Sequence, residues 1–235
     1  MNSGIPYDQF NLVGQEYIKI FDLSLNSDQK QKFEILKKQI RDSENDKSVS
    51  AKKKGEIFEK LIELILESTQ VFRYVKNEHT TSNEIDFVVT LNLNGRILRD
   101  SKIIPEWIPD TFLIECKNYK DPVEVGLIGK FYSLMKVSNI NLGFFISNCH
   151  VTGRDKRYWK DAAAFINKIN LKYSESAKPF YLIDITLEQL ENLLKDDYNI
   201  IELIMDRKTQ ITTDINYSIN DNISNHEREG NLKME

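Results

Sequence analysis

The chain contains 235 residues, with 32 Lys and Arg against 36 Asp and Glu, which gives a formal net charge of −4. Hydrophobic residues make up 40% and charged residues 29%, a globular mixture that excludes a collagen-like or wholly disordered protein. The mildly acidic balance gives no overall attraction to nucleic acid, so such binding would need a local basic patch. We expect a cytoplasmic protein without membrane association. No apolar run approaches the ~18 residues of a membrane span, and the 2 cysteines make no disulfide framework.

The N-terminal part of the chain, residues 1–48, is predicted to be a helical extension. Ser27 and Asp28 are suited to cap a helix over about 29–41, and the polar run that follows is typical of a linker. A second helix is predicted over about 50–67, because its apolar residues recur at helical spacing.

Three strands are predicted after this helix, over 71–75, 84–91 and 111–117, because these segments are rich in β-branched and aromatic residues. Asn94-Gly95 is a tight-turn dipeptide, and it predicts that the second strand folds back as a hairpin. The segment 101–110 contains Pro105 and Pro109 and is expected to be a loop.

The second half of the chain alternates helices and strands. We predict helices over 125–137, 154–169, 186–194 and 200–207, and strands over 142–147 and 179–185. Strands joined through helical crossovers favour an α/β fold in which helices flank a mixed β-sheet. The chain is accordingly divided into an extension (1–48), an α/β domain (49–186), C-terminal helices (187–211) and a flexible polar tail (212–235).

Charged side chains are predicted to meet on the second and third strands. Glu115 and Lys117 lie two residues apart, so both project from one face of their strand. Asp86 lies in an apolar run, where a carboxylate is costly unless it is paired or binds a metal. Asp86 and Glu115 on neighbouring strands would suit Mg²⁺, which binds through one or two carboxylates. Glu59, on the preceding helix, would supply a third acid.

Three short segments, 55–59, 84–86 and 114–119, resemble the ordered motifs of the restriction endonuclease-like PD-(D/E)xK superfamily. The segments 123–131 and 142–164 are similar to its Mrr-type and Holliday-junction-resolvase-like branches. The resemblance implies a restriction endonuclease-like core of αβββαβ order within residues 49–186, metal-dependent phosphodiester hydrolysis and a DNA substrate.

The same resemblance implies a role for each acidic or basic residue of the motifs. Glu59 matches the helix acid, Asp86 the first strand acid, Glu115 the second acid and Lys117 the lysine. Asp86 and Glu115 would hold the metal, and Lys117 would position the attacking water. The sequence departs from the superfamily pattern at Ile85, which stands where the proline is expected. The Pro109-Asp110 pair lies too close to Glu115 to come from a neighbouring strand.

A basic cluster follows the fourth predicted strand and is a candidate nucleic-acid contact. Its cations flank two aromatic residues, Tyr158 and Trp159, and are Arg154, Lys156, Arg157 and Lys160. Cations of this kind hold phosphates, although a solvated first helical turn above a packed Trp159 is an equal alternative. Lys120 and Lys53 are expected to add to this surface, and Tyr119 is interpreted as a packing residue.

The leading hypothesis is a Mg²⁺-dependent endodeoxyribonuclease, with Mn²⁺ as a substitute cation, in restriction or antiviral (phage) defence. Two alternatives stay open: a non-catalytic nucleic-acid-binding module on the same fold, and a nuclease for branched DNA or RNA. DNA is the expected partner. A homodimer and an activating partner protein are left open.

Overall fold

A computed structural model describes residues 23–79, 84–153, 161–173, 176 and 178–213. The helices are α1 (Ser27–Glu44), α2 (Ala51–Ser68), α3 (Leu93–Asp100), α4 (Val125–Val137), α5 (Asp161–Tyr173), α6 (Leu187–Leu190) and α7 (Ile200–Thr213), with a 3₁₀ turn over Glu191–Leu194. The strands are β1 (Phe72–His79), β2 (Glu84–Leu91), β3 (Thr111–Lys117), β4 (Leu142–Ser147) and β5 (Tyr181–Thr186). Within these ranges, no helix combines the length and apolar character needed to cross a membrane.

The strands form one sheet in the order β1-β2-β3-β4-β5. The first three are antiparallel neighbours, whereas β3, β4 and β5 run parallel. Helix α4 covers one face of the sheet, where Phe131 meets Phe145 edge to face at 5.9 Å. Helices α2 and α7 cover the opposite face, so the predicted mixed sheet with helices on both faces is confirmed.

The helix boundaries follow from their capping residues. Helix α1 begins at Ser27, two residues before the predicted start, because its cap is Asn26, which forms a reciprocal capping box with Gln29. Helix α2 starts after Ser50, whose hydroxyl accepts from the Lys53 amide at 3.2 Å. Thr186 and Gln189 form the second capping box, as the sequence predicted.

The hairpin predicted from Asn94-Gly95 is wrong, because this segment forms helix α3. Asn92 caps the helix by accepting the Gly95 amide at 3.0 Å. A Cβ at position 95 would lie 2.5 Å from the Val71 carbonyl oxygen, so the glycine permits close packing of the helix against the start of β1. β2 and β3 are therefore antiparallel neighbours joined by a helix and the loop 101–110.

The outer edge of β5 is covered by side chains. The Asn170 amide of α5 bonds both backbone groups of Leu182, donating to its oxygen at 2.7 Å and accepting from its nitrogen at 3.1 Å. Two residues along, Arg207 Nε of α7 donates to the Asp184 oxygen at 3.0 Å. An edge strand with free backbone groups invites pairing with another chain, and these contacts close that edge.

Three helices end beyond their predicted bounds. Helix α1 continues to Glu44 and α5 to Tyr173, and α7 continues to Thr213, two residues into the predicted tail. The start predicted for α5 and its basic cluster, at 154–160, lie outside the described residues, as does the rest of the tail.

Candidate active site

The two strand acids lie side by side on β2 and β3. Phe87 pairs with Ile114 in the antiparallel ladder, and the register continued by one residue sets Asp86 opposite Glu115. Asp86 Oδ2 accepts the backbone amide of Cys116 at 2.6 Å. The side chains of Asp86 and Glu115 are 14% and 15% exposed, so two carboxylates share a largely dry position.

Lys117 lies between these acids. Its Nζ is 2.5 Å from Glu115 Oε1 and 3.9 Å from Asp86 Oδ2. Burial and the negative charge of Asp86 raise the pKa of Glu115, and the Lys117 ammonium offsets part of that rise. Burial by itself would lower the pKa of Lys117, but the charges of Glu115 and Asp86 outweigh it and raise that pKa. Two acids against one base leave the cluster with a net negative charge.

Glu59, the predicted helix acid, has a different partner. Its Oε2 is 3.0 Å from the Nζ of Lys76 on β1, which also lies 2.8 Å from Glu63 Oε1. Lys76 is paired in register with Phe87. By strand alternation both belong to the face opposite Asp86 and Glu115. The structure therefore brings together three of the four predicted catalytic residues, and a catalytic role for Glu59 stays a prediction.

A comparison with protein families bears directly on this site. A family described as restriction endonuclease, Mrr_cat, matches residues 51–173, just over half of the chain. The chain belongs to this restriction endonuclease family. No curated protein and no solved structure matches it significantly. The matched segment contains Glu59, Asp86, Glu115 and Lys117, and it leaves α1, β5 and α7 outside.

This restriction endonuclease-family domain is that of a nuclease, a hydrolase whose family generally uses divalent metals. Among the described residues, no group of three or more His, Cys, Asp or Glu side chains is placed to hold a metal ion. Two carboxylates are nevertheless a sufficient protein contribution for Mg²⁺, which usually keeps waters and phosphate oxygens as its other ligands. A cation would also offset the repulsion that raises the pKa of Glu115. The residues present therefore fit such an ion.

Lys130 is a basic residue of this nuclease domain that the sequence interpretation missed. It lies on α4, which covers the face of the sheet that carries Glu115. The charge of Lys130 acts to lower the pKa of Glu115, after the larger influences of burial, Asp86 and Lys117. The signal available in the sequence was the position of α4 directly after the strand that bears Glu115 and Lys117.

Two of the predicted nucleic-acid-binding residues, Lys53 and Lys120, are among the described residues, and they lie in different elements. Lys120 lies just after β3 and donates to Asn45 Oδ1 at 3.1 Å, whereas Lys53 lies on the first turn of α2 and pairs with Glu56 at 3.3 Å. The cluster Arg154, Lys156, Arg157 and Lys160 lies outside the described residues. The described flanks of that segment meet each other, since Thr152 Oγ1 accepts the Ala162 amide at 3.2 Å.

Pro109-Asp110, the alternative match to the superfamily motif, is placed apart from the acid pair. Asp110 Oδ1 is 2.7 Å from the Arg99 guanidinium of α3, and its backbone oxygen accepts from Leu91. These contacts tie the loop 101–110 to the end of β2. Asp86 as the first strand acid stays a prediction.

The two cysteines are expected to differ sharply in reactivity. Cys116 is buried beneath the acid pair, and burial together with the charges of Asp86 and Glu115 raises its thiol pKa well above the usual value. Cys149 is partly exposed. Because thiolates are the reactive species, Ellman's reagent at pH 8 should modify one thiol in the native protein and both in denaturant. Loss of the native signal in Cys149→Ser would identify that thiol, and rapid native labelling of Cys149→Ser would contradict the prediction.

Proposed function

We propose that the protein is a Mg²⁺-dependent endonuclease that hydrolyses DNA, with Asp86, Glu115 and Lys117 as its catalytic residues. The observation that carries the proposal is the contact of one lysine with two carboxylates on adjacent strands, in a position with little water. Such a position strengthens every electrostatic interaction with a reacting phosphate.

Asp86 and Glu115 would hold the divalent cation. When bound, such a cation polarises the phosphoryl oxygen and lowers the pKa of water. The Asp86 carboxylate is oriented by the Cys116 amide, so its second oxygen can face the cation. Lys117 has three donors on a flexible stem, and it would position the attacking water and offset negative charge on the phosphate. The water oxygen forms a bond to phosphorus and gives up a proton to solvent, while the bond to the leaving sugar oxygen breaks and that oxygen takes up a proton from solvent.

The biological role we infer is restriction or antiviral defence. Support comes from the restriction endonuclease family to which residues 51–173 belong. The basic cluster at 154–160 would supply phosphate contacts. The segment that leads to it begins directly after β4, the strand beside β3. The net charge of −4 would restrain non-specific binding, because non-specific affinity depends on phosphate neutralisation.

The first experiment is cleavage of supercoiled plasmid with Mg²⁺, Mn²⁺ or EDTA, by the wild type and by Lys117→Ala. We expect nicking or linearisation that requires the cation and falls by about 100-fold or more in the variant. Lys178→Ala is a matched control, because Lys178 is exposed and precedes β5, at the opposite end of the parallel strands. It should cut like the wild type.

The outcome also distinguishes the competing functions. Cleavage confined to branched DNA or RNA would keep the chemistry and change the substrate. Metal-independent binding without cleavage of plasmid, single-stranded, branched or RNA substrates would contradict the nuclease assignment and favour a binding module.

A further inference from the structure

A cleft of about 390 Å³ opens beside the candidate active site. One wall is the segment that directly follows Lys117 at the end of β3, and the other is formed by the end of α1 and the first turn of α2. The side chains that the argument uses are Glu44, Lys54, Tyr119, Lys120, Asp121 and Glu124. A volume of this size falls within the range of small-ligand pockets.

The two walls are tied together by hydrogen bonds. The Asn118 side chain donates to the Lys54 oxygen at 2.8 Å, and Lys120 Nζ donates to Asn45 Oδ1 at 3.1 Å. Lys54 Nζ donates to the Glu44 oxygen at 3.1 Å. The Glu44 carboxylate in turn accepts from the Asn148 side chain at 2.7 Å, just beyond β4. The cleft is therefore formed before any ligand arrives, and binding need not pay to order it.

The lining combines the groups that recognise a nucleotide. Tyr119 is 44% exposed, which corrects its interpretation as a packing residue, and an exposed aromatic ring is a stacking surface for a base. Lys54 and Lys120 supply ammonium groups for phosphate. Asp121 and Glu124 supply carboxylates of the kind that accept exocyclic amino groups of bases.

The cleft lies next to the candidate catalytic residue Lys117. Tyr119 lines the cleft and lies two residues after Lys117 at the end of β3. A strand whose phosphate lies at Lys117 would therefore carry the adjoining nucleotide past Tyr119. In the far wall, Lys54 belongs to the segment 51–173 that matches the family, whereas Glu44 at the end of α1 lies outside it. The α1 part of the wall is therefore an addition that the family domain by itself does not provide.

We propose that this cleft is a subsite for one unstacked nucleotide next to the scissile phosphate, and that the α1 extension completes it. This proposal rests on the proposed nuclease function, which identifies the neighbouring phosphate as the one that is cleaved. It assigns Tyr119 as the stacking platform, Lys54 and Lys120 as phosphate contacts, and the acidic side chains as readers of the base edge.

The test compares Tyr119→Ala, Tyr119→Phe and the wild type by two measurements. The first is sequencing of the DNA ends left on a plasmid library, which gives the cleavage rate and the base preference on each side of the cut. The second is the fluorescence of a 2-aminopurine oligonucleotide bound to each protein in the Glu115→Gln background, where no cleavage interferes. Val137→Ala, at the 87% exposed last residue of α4, is the control for loss of an exposed apolar side chain.

We expect Tyr119→Ala to lower kcat/KM by about 10- to 100-fold, from the free energy of one stacked base, and to relax the preference at a single position. It should also abolish the 2-aminopurine response, whereas Tyr119→Phe should restore both. Equal rates, equal end patterns and equal fluorescence in Tyr119→Ala and the wild type would overturn the subsite. Binding through Tyr119 by a protein that cuts nothing would instead refute the nuclease function and leave the subsite standing.

Discussion

Glu115→Gln is expected to reduce metal-dependent cleavage by at least about 100- to 1,000-fold while leaving the fold as stable as that of the wild type. The substitution keeps the shape of the side chain and removes one of two carboxylates that burial and mutual repulsion disfavour. Lys117 retains Asp86 as a counter-charge at 3.9 Å. A purely structural acid would show the reverse pattern, with lost stability and retained activity. Thermal unfolding in EDTA and plasmid cleavage in Mg²⁺ measure the two effects separately.

Calorimetric titration of Mn²⁺ gives a readout that does not depend on turnover. Heat of binding should be present in the wild type and greatly weakened in Glu115→Gln, since half of the carboxylate pair is lost. Glu106→Gln is the matched control, because Glu106 forms an exposed ion pair with Lys102 at 3.7 Å. Full cleavage by Glu115→Gln would sink the assignment of the site, whatever its effect on metal binding.

The central strands could be predicted closely from the sequence. β2, β3 and β4 have the predicted bounds, because each is a short apolar run enclosed by polar residues. Two of these strands carry the site, so the pairing of Asp86 with Glu115 followed from their alternation. The cap at Thr186 was equally readable, since a capping box involves residues three positions apart.

Features that depend on contacts distant in the chain could not be predicted in this way. Asn94-Gly95 has the local signature of a turn, but packing of Gly95 against the Val71 oxygen places it in a helix. Glu59 matches a family motif, yet its ion pair with Lys76 is invisible until β1 is placed beside α2. Tertiary packing overrides local propensity in the first case, and in the second it determines the partner of an ion pair.

The cleft beside the site illustrates the same limit. Its walls come from segments near residues 44–54 and 118–124, and hydrogen bonds join them across more than sixty positions of sequence. The exposure of Tyr119 depends on that arrangement. The sequence shows an aromatic residue two positions after Lys117, but it does not show which groups the ring faces.

Arg207→Leu is expected to lower the free energy of unfolding by about 3–5 kcal/mol, the cost of stranding one partner of a buried ion pair. Arg207 and Asp184 are 5% and 2% exposed, and Arg207 Nη2 lies 3.1 Å from Asp184 Oδ1. The same side chain bonds the Asp184 backbone oxygen on the outer edge of β5. Urea unfolding should show the loss at unchanged m-value, because the substitution changes stability rather than the surface exposed.

Two further variants separate the stranded charge from the lost contact. Arg41→Leu removes another arginine–carboxylate pair, to Glu191, but that arginine is 57% exposed, so the expected cost is below about 1 kcal/mol. Asp184→Asn in the Arg207→Leu background removes the unpaired charge and should recover part of the stability, because the desolvation cost then falls. The uncovered β5 edge would persist in that double variant, so concentration-dependent association in light scattering should accompany it even where stability returns. An Arg207→Leu protein no less stable than Arg41→Leu would show that the buried pair is replaceable and that α7 is held to the sheet by its apolar face.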